Sequence, residues 1–200
     1  MLSSKPILVG VTGGIGSGKS MVCKIFNTLG IPIYDADSQA KKLMLHDDVL
    51  KQQIVHELGK ESYLENGSIN RDFLAETVFS NSEKLDRLNQ LVHPAVAKDF
   101  EAWVNEQETR YVIKEAALLI ETGSYKHLDK LINVSAPVEL RIERVIKRDA
   151  FRTHDEIRKI INNQLLEEAR NEKADYVIKN DESELLVTQV TEIHKSLLYN

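Results

Sequence analysis

One short stretch near the start of the chain carries the clearest chemistry. Gly13-Gly14-Ile15-Gly16-Ser17-Gly18-Lys19-Ser20 fits the spacing G-x-x-x-x-G-K-[ST]. Glycines let successive backbone N–H groups turn inward around phosphate oxygens. A helix starting at this point aims its positive end at the same anion. Lys19 is spaced to reach the β- and γ-phosphates of a nucleotide, and the Ser20 hydroxyl to hold Mg²⁺. The dinucleotide fingerprint that could begin at Gly14 fails, because position 19 is lysine where glycine or alanine is needed. Residues 13–20, with the following Met21, are therefore candidate contacts to a nucleoside triphosphate.

Such a loop selects a triphosphate and leaves the reaction open. Tyr34-Asp35-Ala36-Asp37 follows a short apolar run, so Asp37 falls at the carboxyl end of a strand. In a parallel sheet that edge also carries the phosphate loop. A carboxylate there can orient an acceptor hydroxyl and take its proton. Aspartate is equally a favoured helix N-cap, and both readings of Asp37 stand. Asp35 is structural or acts on Mg²⁺ through water. Glu115, after the run Tyr111–Lys114, either helps hold Mg²⁺ through water or is a surface residue.

A third group is basic. Arg141, Arg144, Lys147, Arg148 and Arg152 lie close together in a chain with 26 basic and 31 acidic residues. Arg141, Arg144 and Arg148 share one helical face by their spacing. Arginine forks suit the charge that phosphoryl transfer spreads over the equatorial oxygens. A helical lid carrying them could close over the site and exclude water. A solvated face is the competing reading. It is favoured for most of these residues, and the phosphate role for Arg144 and Arg148. His93, beside Pro94, reads as a cap or a packed polar residue as readily as a site residue.

The elements that must position these groups alternate. Ile7–Val11 reads as a buried strand, Lys19–Leu29 as a helix stopped by Gly30, and Ile31–Tyr34 as a second strand. Residues 38–108 read as nearly all helical, with a turn at Glu65–Ser68 and an apolar period running past Pro94. Strands follow at 111–114 and 131–134, Pro137 opens a helix to 149, a polar helical stretch spans about 154–172, and a last strand and helix take 176–178 and 184–198. The expected fold is α/β: a parallel sheet flanked by helices, with a helical insertion and a helical lid. The expected divisions are a core of 1–37, 109–137 and 173–200, an insertion of 38–108 and a lid of 138–172.

Composition narrows the class. Apolar residues make up 42% and charged residues 28% of 200, which excludes disordered, collagen-like and disulfide-scaffold chains. A net charge of −5 argues against general nucleic-acid binding. One cysteine, Cys23, forms no internal disulfide, and no apolar run approaches the ~20 residues of a membrane span. A cytoplasmic protein without nucleic-acid or membrane partners is expected. No switch or base-reading motif of a GTPase follows a suitable strand, so a small-molecule kinase is the favoured reading. A kinase for another small acceptor, such as a nucleoside monophosphate, and an ATP-binding regulatory module are the alternatives.

The assembled motifs resemble the dephospho-CoA kinase family. Thr12 to Ser20 resembles its T-G-G-I-G-S-G-K-S, and Asp35-Ala36-Asp37 its D-A-D. Asn66-Gly67 to Arg71 with Leu74 and Phe79, and Leu88-Asn89 with His93-Pro94, resemble two further blocks. Leu118 to Glu121, Arg144 with Arg148-Asp149, Gln164, and Ala174 to Asn180 resemble the rest. The resemblance implies ATP, Mg²⁺ and dephospho-CoA, with phosphorylation of the ribose 3′-hydroxyl. It implies Asp37 as the base, Arg144 on phosphate, the segment around Asn180 near adenine, and His93, Leu118 and Arg148 on the acceptor side. Three positions depart from the pattern: Met21 for threonine, Ala117 for proline and Arg141 for glutamine. None of them touches Lys19, Asp37 or Arg144.

Overall fold

Ile7–Thr12 is mostly β-branched and is apolar apart from Gly10 and Thr12, and it forms β1 at the centre of a parallel sheet. The structure is a computed structural model and describes residues 5–79 and 81–199. Around β1 stand β2 (Ile33–Asp35), β3 (Tyr111–Glu115), β4 (Lys130–Ser135) and β5 (Tyr176–Lys179). Their order is β2-β3-β1-β4-β5 and every pairing is parallel. Parallel strands need crossovers and are buried on both faces, which is why β1 reads as an apolar run rather than an alternating one.

The two faces of β1 take different neighbours. Val9 and Val11 pack with Val22, Cys23 and Phe26 of α1 (Lys19–Thr28) and with Val190, Ile193 and Leu197 of α9 (Leu186–Tyr199). Gly10 faces the other way, because successive side chains alternate. There the cover is so close that a Cβ on Gly10 would lie 2.7 Å from Leu128. Burial pushes the thiol of Cys23 well above its ordinary value, and Glu115 adds to the shift.

Residues up to Asp35 together with those from Gln107 onward form one compact unit, and Ala36–Glu106 forms another. The first unit also contains α6 (Val138–Arg148), α7 (His154–Asn162) and α8 (Glu167–Lys173). Ile142 and Val145 of α6 bury against Ile157 of α7. The second unit is helical, as the sequence implies: α2 (Ala36–His46), α3 (Asp48–Leu58), α4 (Arg71–Phe79) and α5 (Ser82–Asn105). Its caps are local. Asp47 accepts from the amides of Val49 and Leu50, and Asn81 from that of Lys84. Gly67 takes φ +80° at the expected turn, which brings Tyr63 and Ile69 into a bridge.

α5 runs through Pro94, as the apolar period past that residue implies. Two details differ from expectation. Pro137 caps α6 from one residue outside. The stretch 154–172 is two helices, with a break that has a specific cause. The Leu165 amide donates to Glu121 Oε1 at 3.2 Å, and Gln164 turns toward Ile15, 149 positions away. Those bonds replace the helical ladder at that point. Among the described residues, no helix is long and apolar enough to cross a membrane.

Candidate active site

The carboxyl ends of the strands share one edge, and several candidate residues of the first unit lie there. The glycine loop leaves β1, Asp35 ends β2, Glu115 ends β3, and Asn180 follows β5. Asp35 and Glu115 are register partners across β2 and β3. A crevice outside the carboxyl ends is where open α/β sheets place ligands.

The loop is held by close approaches that side chains would obstruct. Gly18, with φ +97°, lies where a Cβ would meet Asn180 Nδ2 at 2.1 Å. A Cβ on Gly14 would lie 2.1 Å from Arg141 Nη2. The Ser17 amide donates to the Gly14 carbonyl at 3.1 Å, which tightens the turn. Ser17 is buried, and its hydroxyl has no hydrogen-bond partner among the described residues. Lys19 Nζ folds back along the loop and donates to the carbonyls of Gly13 at 3.0 Å and Gly14 at 3.5 Å. Its ammonium is thus stationed over the cradle.

At the next residue, the Ser20 hydroxyl donates to Glu115 Oε1 at 3.3 Å. Burial raises the Glu115 carboxyl above its ordinary value; Lys19 opposes the shift and Asp35 adds to it. A serine hydroxyl and carboxylates are hard oxygen donors, the kind that suit Mg²⁺. Among the described residues, no cluster of three or more His, Cys, Asp or Glu side chains forms a metal site of its own.

Arg144 and Asn180 join the loop through one another. Arg144 Nη1 donates to the Asn180 carbonyl at 3.0 Å, and Nη2 to Asn180 Oδ1 and Glu182 Oε1, each at 3.3 Å. Asn180 Nδ2 in turn donates to the Ser17 carbonyl. Arg148 does not join them. It is exposed and makes a two-pronged pair with its neighbour Asp149, both bonds 2.9 Å. Met21 and Leu118 are about half exposed, at 53% and 47%. In the second unit, Asp37 lies in the first turn of α2 and His93 on the solvent side of α5.

Arg141 departs from the shared face that the spacing suggests. It is 2% exposed and sits beneath the loop, bonded to Ile15, Gln164 and Glu167. Burial pulls its guanidinium below the ordinary value, with Glu167 opposing. Arg170 is 1% exposed and also faces Glu167. Periodicity alone could not separate these arginines from solvated ones. Glu167 lies in a segment that reads simply as polar, and Gln164 and Glu121, though they fall in blocks of the family resemblance, carry no spacing signal that they face buried arginines.

Comparison with known proteins follows the same lines. The family model described as CoaE, dephospho-CoA kinase, matches residues 7–185. A dephospho-CoA kinase of Porphyromonas gingivalis is 39% identical over 187 residues, covering 94% of this chain and 92% of that one. The solved structure of a Thermus thermophilus protein superposes with a TM-score of 0.87 at 29% identity, covering 98% of this chain and 100% of that one. The solved dephospho-CoA kinase of Campylobacter jejuni gives 0.69 at 26% identity, covering 95% and 96%.

Proposed function

We infer that this chain, which belongs to the dephospho-CoA kinase family, transfers the γ-phosphoryl group of ATP to the ribose 3′-hydroxyl of dephospho-CoA. The products are ADP and coenzyme A, and the step is the last in coenzyme A biosynthesis. We take the cytoplasm as its compartment. The observation that carries the reading is the family match over residues 7–185, which includes every element of the loop and its sheet edge.

In this reading the loop 13–20 binds the ATP phosphates. Lys19 Nζ swings from the carbonyls of Gly13 and Gly14 to the β- and γ-oxygens, a short move that exchanges neutral acceptors for charged ones. Ser20 and, through water, Glu115 would hold Mg²⁺. When bound, that ion neutralises charge on the β- and γ-phosphate oxygens. The local geometry fits the role, since Ser20 and Glu115 are already hydrogen-bonded partners.

Asp37 is our assigned base. It follows the end of β2 by two residues, and it takes the proton of the 3′-hydroxyl as that oxygen attacks the γ-phosphorus. The bond from the γ-phosphorus to the β,γ-bridging oxygen breaks, and ADP leaves. Arg144 supports the charge on the transferring group, held in readiness by Asn180 and Glu182. His93, Leu118 and Arg148 are assigned to the acceptor side.

The test is release of ADP from Mg-ATP on addition of 3′-dephospho-CoA, with the product identified by mass. Acceptor-dependent ADP and a gain of one phosphate are expected. ATP binding with no turnover on this acceptor would overturn the assignment of substrate.

A further inference from the structure

Both backbone polar groups of Ile15, at the tip of the phosphate loop, are taken by side chains from outside the loop. Its amide donates to Gln164 Oε1 at 2.9 Å. Its carbonyl accepts from Arg141 Nε at 2.9 Å. The two captors are themselves joined, Arg141 Nη2 donating to Gln164 Oε1 at 3.2 Å. The Ile15 side chain completes the seat by packing on Ile142, Val145 and Ile157.

The chemistry of this triangle is specific. An arginine has only donors and an amide nitrogen is a donor, so a side chain facing both must present an acceptor. That fixes which way the Gln164 amide points. The captors are also braced. Arg141 Nη1 reaches Glu167 Oε2 at 3.3 Å, and Glu167 accepts from Ser135 at the end of β4. Glu121 holds the Leu165 amide beside Gln164. None of these side chains needs to touch a nucleotide to matter. Ile15 stands immediately before Gly16 and Ser17, whose backbone forms the cradle. A loop whose tip is free would have to be ordered when phosphate binds, and that ordering weakens affinity.

We propose that Gln164 and Arg141 are positioning residues that hold the phosphate loop at Ile15 in its binding-ready form and so set the affinity for ATP. The loop, α6 and α7 then move as one body. This rests on the reading that the loop takes the ATP phosphates, and the experiment keeps the two apart.

Gln164→Leu keeps similar bulk and removes the acceptor. Gln164→Glu restores an acceptor for both donors. Mg-ATP affinity is measured by calorimetry on the full chain, alongside the KM for dephospho-CoA and the melting temperature. Gln164→Leu is expected to weaken ATP binding about tenfold, the scale of one lost buried hydrogen bond, and to leave the KM for dephospho-CoA within about twofold. Gln164→Glu is expected to bind ATP close to the parent value. A Leu variant that melts lower yet binds ATP as the parent does would reduce Gln164 to a structural residue and overturn the proposal. So would a Glu variant as weak as the Leu variant. If Gln164→Leu does not fold, the Glu variant and Arg141→Lys, which keeps the charge and loses the fork, carry the same comparison. Absence of ATP binding by the parent chain would overturn the reading of the loop itself, and this inference with it.

Discussion

Asn180 Nδ2 donates to the Ser17 carbonyl at 2.7 Å, so the segment after β5 is tied directly to the phosphate loop after β1. The same asparagine accepts from Arg144 through its carbonyl and its Oδ1. One residue thus links the loop to the arginine assigned to the transferring phosphate. Asn180→Leu keeps the bulk and loses the donor and the side-chain acceptor. It is expected to weaken ATP binding by about five- to tenfold, as the loss of one or two such bonds implies. Isothermal titration with Mg-ATP checks this, and an unchanged affinity would make the link incidental.

Asp37→Asn removes a proton acceptor and little volume. It is expected to lower kcat by roughly 10²–10⁴-fold while leaving ATP affinity close to the parent value. Steady-state kinetics with a separate nucleotide titration decides it. A parent-like kcat would leave Asp37 as an acidic residue in the first turn of α2.

Glu115 gives a prediction about pH. Burial raises its carboxyl, so the folded chain holds that proton more readily than the unfolded chain does. The stability this contributes is full below the unfolded pKa and is lost as pH rises through the folded value. Ionised Glu115 is therefore a cost near neutrality. Glu115→Gln is expected to raise Tm near pH 8, with the gain shrinking toward about pH 4, and to lower kcat through the loss of a Mg²⁺ partner. Melting curves across pH test it. A variant that melts lower near pH 8 would mean that Lys19 more than compensates the buried charge.

Glu167 faces two buried arginines, with Arg141 Nη1 at 3.3 Å and Arg170 Nη2 at 3.7 Å. Glu121 stands 3.8 Å from Arg170 and cannot serve both. Glu167→Gln is expected to cost toward the lower end of the ~3–5 kcal/mol seen when a buried pair loses one partner, since Glu167 keeps some contact with water. For a chain of this size that is a fall in Tm of roughly 5–10 °C. A fall of less than about 2 °C by differential scanning calorimetry would show that water replaces the carboxylate without loss.

The phosphate-loop edge of the sheet was legible in the sequence because its signals are local. The spacing Gly13 to Ser20 requires a strand before it and a helix after it, and β1 and α1 supply them. The apolar runs at 111–113 and 131–134 reported β3 and β4 for the same reason, since a parallel strand buried on both faces cannot hide its pattern. What lies beneath the loop was illegible. Arg141 shares a spacing with Arg144 and Arg148, yet one is buried, one bridges to Asn180 and one pairs in the open. Those fates depend on Gln164, Glu167, Asn180 and Asp149, three of which lie more than a helix away along the chain. Gln164 itself sits in a break announced only by the weak stop signal of Asn162-Asn163; there Glu121 and Ile15 take the bonds that a next turn would otherwise use.

Cys23 turns one of these features into an internal gauge. The thiol lies one turn beyond Lys19 on α1, is 4% exposed, and is pushed toward its protonated form by burial and by Glu115. Alkylating reagents attack the thiolate, so in the closed state this sulfur is silent on two counts. It speaks only when the core around it opens. With one cysteine in the chain, every thiol-labelling event is a record of that opening. A nucleotide that grips the start of α1 slows the record, and the rate of labelling becomes a clock for how tightly the phosphate-binding end is shut.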